Sequence, residues 1–122
     1  MRIAIGVENV GAAKPLVAQH FGNCCGFYIY EMDSSYNIET KEFYVNPFQG
    51  SFNGNSPIPK FLNGLSVNVL IAGGMGRSEL ENINKSGIIV YSAPGLFIEE
   101  AMHRYLNRQL KQYPEYTEDL EA

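Results

Sequence analysis

Val67–Ala93 reads VNVLIAGGMGRSELENINKSGIIVYSA. Its first six residues, VNVLIA, form a short run rich in β-branched side chains, the pattern of a buried strand. GGMG then breaks the run, and a short helix follows with Glu79 and Glu81 near its start, where negative charge suits the helix dipole. Gly87 closes that helix, and Ile88–Ala93 repeats the strand pattern. A strand, a helix and a second strand in such close succession predict a parallel βαβ unit, so the chain is α/β.

Working outward, RIAIGV (Arg2–Val7) reads as another buried strand. GFYIYEMD and NIETKEFYV, separated by SSY, predict a hairpin turned by Asp33, two serines and Asn37. The charges of its second strand suit a sheet edge. Asn46–Pro57 is a Gly/Asn/Ser/Pro loop, after which Ser56 reads as an N-cap and Pro57 as the first position of a short helix ending at Gly64. A longer helix is predicted from Leu96 to Leu110, with Ile98, Ala101, Met102, Tyr105 and Leu106 on one apolar stripe. The order β-β-β-α-β-α-β-α predicts a mixed sheet with helices on both faces. Residues 1–110 form one domain on this reading, and 111–122 an acidic tail. Ligands of such sheets sit beyond the carboxyl ends of the parallel strands. Three loops converge there: the one after Val7, GGMG after Ala72, and SAPG after Tyr91.

The bulk numbers narrow the function. The chain has 122 residues, 45% apolar and 18% charged, which fits a single packed domain. A net charge of −4 argues against nucleic acid or an anionic membrane as partner. The apolar run of MRIAIGVENVG is too short for a signal peptide, and no stretch approaches the roughly 20 apolar residues of a membrane span. The expectation is a cytoplasmic protein with reduced thiols.

The first loop ends in HFGNCC (His20–Cys25), which holds the only two cysteines of the chain and one of its two histidines. A disulfide between neighbours is disfavoured, since their Cα atoms lie about 3.8 Å apart and disulfides need about 4.4–6.8 Å. Imidazole and thiolate suit iron–sulfur species or zinc. His20, Cys24 and Cys25 are therefore candidate metal ligands, and Gly22 eases the turn between them. If Cys25 opens a strand, its side chain points away from that of Cys24. Two or three ligands leave a tetrahedral site open. The competing reading makes both cysteines small buried hydrophobes. A reactive thiol is a third reading; it needs a lowered pKa, for which Lys14 and Arg77 are candidate cations.

Taken together, IAIGV, HFG, FYIYEMD, VNVLIAGGMG, SGIIVYSAPG and IEEAM resemble the dinitrogenase iron–molybdenum cofactor biosynthesis family, the NifX- and NafY-like domain, from about Arg2 to Leu106. The family often reads HFGR followed by Cys or Ala; here Asn23 replaces the arginine and Cys25 is additional. The resemblance implies a ribonuclease-H-like three-layer fold, with a five-stranded mixed sheet whose second strand is antiparallel to the rest. It implies a non-catalytic carrier that transiently binds an iron–sulfur cluster or an iron–molybdenum cofactor precursor, with cofactor donor and acceptor proteins as partners. The candidate binding surface comprises Asn9, Lys14, Phe21 and Gly22 on the first loop, Gly73, Gly74, Met75, Gly76 and Arg77 on the second, and Ser92 and Gly95 on the third. GGMGR can form an anion nest at a helix start, or serve only as a tight turn that needs glycine. A metal-free module binding a small anion or a protein is the alternative to a carrier. Nuclease chemistry needs several convergent carboxylates, and the first strand ends with Glu8 alone while VNVLIAGG has none. His103, off the apolar stripe, reads as a surface residue.

Overall fold

A computed structural model describes residues 1–8, 14–48 and 57–113. Six strands and three helices follow in the order β1 (Arg2–Val7), β2 (Gly26–Met32), β3 (Ile38–Val45), α1 (Ile58–Gly64), β4 (Val69–Ala72), α2 (Arg77–Lys85), β5 (Ile89–Ser92), α3 (Ile98–Leu106) and β6 (Lys111–Gln112). One sheet holds all six strands in the order β3-β2-β1-β4-β5-β6. β1 pairs in parallel with β4, and β4 with β5, while β2 runs antiparallel to both β1 and β3.

Burial follows the sequence pattern. All four residues of β4 are buried, as befits a central strand covered on both faces. β2 alternates instead: Phe27 and Ile29 join the core under α1 and α2, and Tyr30 and Met32 join the core under α3. The first core is completed by Ile58 and Leu62 of α1 and Leu80 and Ile83 of α2, the second by Ile98, Ala101 and Met102 of α3. Helices therefore lie on both faces. β3 is an edge strand with exposed Glu39, Lys41 and Glu42, and such charges discourage pairing with another chain. The hairpin turn is held by the Asp33 carboxylate, which accepts from the amides of Ser35 and Asn37 at 2.8 and 2.9 Å.

Two expectations are corrected. The sheet has six strands, not five, and α3 stops at Leu106, short of Leu110. Both differences have one cause. Arg108 adopts a left-handed conformation (φ 59°), and the Gln109 amide donates back to the Arg104 carbonyl at 2.7 Å. The chain leaves the helix there and lays Lys111–Gln112 antiparallel to Tyr91–Ser92 as β6. Tyr113 follows, its amide donating to Val90 and its hydroxyl to the Gly73 carbonyl at 2.7 Å. The expected cap Ser56, most of the loop before it, and the tail beyond Tyr113 lie outside the described residues.

Leu70 sits on β4 between Ala4 of β1 and Val90 of β5, with no solvent exposure. Leu70→Ala is expected to lower the unfolding free energy by about 2–5 kcal/mol, measured by denaturant titration. A loss near zero would contradict this core.

Candidate functional site

The carboxyl ends of β1, β4 and β5 carry the three loops named from the sequence, and the first loop ties the other two together. After β1 the chain returns beside its own strand, with Val17 bridged to Val7 and the Ala18 amide donating to the Gly6 carbonyl at 2.9 Å. On one side this returning segment meets the loop after β5. Val17 donates to Leu96 at 2.8 Å, Gly95 to Val17 at 3.1 Å, and Ile98 to Pro15 at 3.1 Å. On the other side it meets GGMG. The Gly74 amide donates to the Gln19 carbonyl at 2.6 Å, and the Phe21 amide to the Gly74 carbonyl at 2.7 Å. Ala93 donates to Ala72 at 2.9 Å and closes the ring of loops.

Glycine suits these contacts because atoms of the first loop lie where a side chain would stand. A Cβ on Gly73 would collide with the Ala18 carbonyl. On Gly74 it would lie 3.0 Å from the Gln19 carbonyl oxygen and 3.4 Å from Nδ1 of His20. Gly95 adopts φ 75°, and its Cβ would lie 2.7 Å from the Gln19 side-chain amide nitrogen. The glycines thus seat the first loop. The Gly74 N–H is taken by Gln19 and is not offered to an anion. Gly76 differs: it stands before α2 with open space around its Cα.

His20 is exposed on this seat, with its ring along Gly74. Phe21 begins a single 3-10 turn, Phe21–Asn23, and is buried beside Phe27, with ring centroids 6.0 Å apart. Gly22 is half-buried within that turn. Cys24 is wholly buried in the core under α1 and α2. Burial pushes its thiol up to about 12, against a partial opposing pull from the Asn46 amide. The buried Asn46 side chain donates to the Cys24 carbonyl at 2.9 Å, lies 3.7 Å from its Sγ, and accepts from the Phe48 amide at 2.9 Å. Cys25 is half-buried against the other core, its thiol 3.3 Å from the Val7 carbonyl oxygen. The two cysteines thus point to opposite faces of the sheet.

The remaining described candidates lie on different elements and do not converge with His20. Met75 is buried in the first core. Arg77 opens α2 and pairs with Glu81 at 3.6 Å. Lys14 sits over the Phe97 ring at 5.8 Å, on the α3 side. Ser92 ends β5 and pairs with Lys111 of β6. Asn9 lies outside the described residues. Among the described residues, no three His, Cys, Asp or Glu side chains come together as a metal-holding group. The geometry therefore offers one exposed imidazole on a braced platform, a protonated buried thiol, and a second thiol facing elsewhere.

Two residues escaped the sequence reading. Gln19 joins the second and third loops; the glycines announced a close approach but could not name what approaches. Asn46 braces Cys24 across 22 residues of sequence, and as the residue before a proline it signalled only a turn.

The fold and this loop cluster define a class: a small three-layer α/β domain whose loops converge at the carboxyl ends of its parallel strands. The chain belongs to the dinitrogenase iron–molybdenum cofactor family, whose model matches residues 1–108. The fold is shared with PH0822 (TM-score 0.77, 23% identity, 96% of this chain and 100% of that one). It is also similar to the apo form of the orange protein from Desulfovibrio gigas (TM-score 0.76, 24% identity, 92% of each chain). TM1290 from Thermotoga matches with a TM-score of 0.75 and 24% identity, over 95% of this chain and 96% of that one. A search of curated proteins gives no match to this sequence. No helix among the described residues is long and apolar enough to cross a membrane.

Two outcomes check this site. Gly73→Ala is expected to destabilise the fold by roughly 1–3 kcal/mol, while Gly76→Ala changes stability little; thermal unfolding of the pair decides it. The Cys24 thiol has its folded pKa raised from 9.0 to about 12. Its contribution to stability is therefore full below pH 9 and is lost as pH rises from 9 towards 12. Unfolding measured across that window should show a fall that Cys24→Ala diminishes. Native alkylation should label Cys25 well before Cys24.

Proposed function

We propose that the protein is a non-catalytic binding and carrier protein for a preassembled metallocluster, of the iron–sulfur or iron–molybdenum precursor kind. In its layering we read the fold as ribonuclease-H-like, put to binding and not to nuclease chemistry. The observation that carries the proposal is the exposed His20 imidazole on a platform of three mutually hydrogen-bonded loops. Membership of the iron–molybdenum cofactor family supports it. Imidazole is a suitable ligand for iron held in a cluster. One protein donor cannot fill a metal's coordination sphere, so the cargo brings its own sulfide and is released again, as a carrier requires. Cargo donor and acceptor proteins would meet this same face, in the cytoplasm.

Of the three sequence candidates, His20 is the one we place on the cargo. Cys24 would have to lose both its burial and its proton first. Cys25 enters only for cargo that reaches round to the α3 side. Lys14, near the start of the returning first-loop segment, and Arg77, just after GGMG, are the cations we read as offsetting a cluster's negative charge.

The test is anaerobic loading with iron and sulfide, and with a preformed synthetic iron–sulfur cluster, followed by visible absorption and metal analysis. Wild type should take up colour and stoichiometric metal. His20→Ala should lose them, and a folded Cys24→Ala should keep them. Metal retained in His20→Ala, or colourless wild type under both loadings, would remove the proposal.

A further inference from the structure

A second cavity lies apart from the loop site. It is a groove of about 320 Å³ beside the end of α3, lined by Tyr36, Tyr91, Tyr105, Leu106, Arg108 and Leu110. No carboxylate lines it. Tyr36 comes from the β2–β3 turn, Tyr91 from β5, and the others from α3 and the segment after it. The volume falls within the range of small-molecule sites, and the lining is part polar and part apolar.

Those polar groups have no hydrogen-bonding partners among the described residues. Among the described residues, the tyrosine hydroxyls that meet a protein group are those of Tyr44 and Tyr113, and the hydroxyls of Tyr36, Tyr91 and Tyr105 meet none. Arg108 makes no ion pair among the described residues. Tyr36 and Arg108 are exposed at the groove and Tyr91 and Tyr105 half-buried, so four hydrogen-bond donors border it that the described protein groups leave open to solvent or a ligand. A tyrosine hydroxyl is protonated at neutral pH, and burial and the neighbouring tyrosines push that of Tyr105 further up.

The backbone adds a second, independent sign. Three described non-glycine residues have positive φ, and two of them, Tyr36 (64°) and Arg108 (59°), line this groove. Glycine would relieve both positions. Large side chains stand there instead, and strain of this kind collects where a side chain is needed.

We propose that this groove binds a small organic carboxylate with a flat, apolar body. The guanidinium takes the carboxylate through paired hydrogen bonds, and the tyrosine hydroxyls supply further donors. Tyr91 and Tyr105 meet edge-on with ring centroids 5.2 Å apart, and with Leu106 and Leu110 they form the apolar wall. None of these residues belongs to the loop platform, so this site stands or falls independently of the cargo proposal.

The experiment is an amide NMR titration of the full chain with benzoate, and in parallel with inorganic phosphate. Saturable shifts at Tyr91, Tyr105 and Leu110 are expected with benzoate, and weaker ones with phosphate. Arg108→Gly should weaken benzoate at least about tenfold, the loss of one charge-assisted pair. Because the position favours glycine, that variant should melt at the same temperature or higher, so lost binding cannot be blamed on lost fold. Tyr105→Phe should keep the ring and bind more weakly. No saturable shift with benzoate overturns the proposal, as does equal affinity in Arg108→Gly. Phosphate binding as tightly as benzoate also overturns it, because the apolar wall would then contribute nothing.

Discussion

The hydrogen bond from the Gly74 amide to the Gln19 carbonyl is 2.6 Å long, and the loop end of the molecule is organised around it. Glycine makes room for this packing: a Cβ on Gly73 would collide with the Ala18 carbonyl, and one on Gly74 would lie only 3.0 Å from the Gln19 carbonyl oxygen. The contact turns a loop that leaves the sheet at Val7 into a short extension of it. From that extension the same chain reaches Gly95 and Leu96, so three separate strand ends become one surface. A glycine-rich strand-to-helix turn is usually read as a cradle for a phosphate. Here the Gly74 donor is spent on the protein itself, and what the turn supports at the surface is the His20 side chain.

The same contact separates the histidine from the thiols. His20 is held out along Gly74, and the next three residues make one 3-10 turn that carries the chain back under the surface. Cys24 arrives at the first core and Cys25 at the second, because successive extended residues point to opposite sides. Asn46 then fixes the turn from below, occupying its carboxamide with the Cys24 carbonyl and the Phe48 amide. A wholly buried polar side chain costs stability unless its hydrogen bonds are met, and these are. The geometry that exposes the imidazole is thus the geometry that hides the thiol.

Much of this was legible in the sequence. Strand and helix order, the edge character of β3, the convergence of three loops and the divergence of the two cysteines all follow from local periodicity and from the α/β rule for strand ends. What was not legible depended on distant partners. Leu106 and Leu110 continue the helical spacing of α3, and nothing local announces that Arg108 will take the conformation usually left to glycine. The end of α3 and the presence of β6 were therefore both missed, since one event produces them. Spacing alone could not show that Cys24 is buried in the first core either. That outcome rests on Asn46 and on the packing of Phe21 and Phe27, which are joined only by the fold.

These observations bear on why a carrier would present a single donor. A site with three or four protein ligands holds its metal with a free energy that a receiving protein must exceed. On the proposed reading a lone imidazole contributes one bond, and the rest of the affinity would come from shape and charge over the platform. Such a site needs rigidity more than ligands, because a donor that wanders loses to entropy much of what one bond supplies. The ring of hydrogen bonds between the loops provides that rigidity without adding a ligand. On this view the glycines of GGMG and SAPG serve binding indirectly: they hold His20 still, and they leave the cargo free to go.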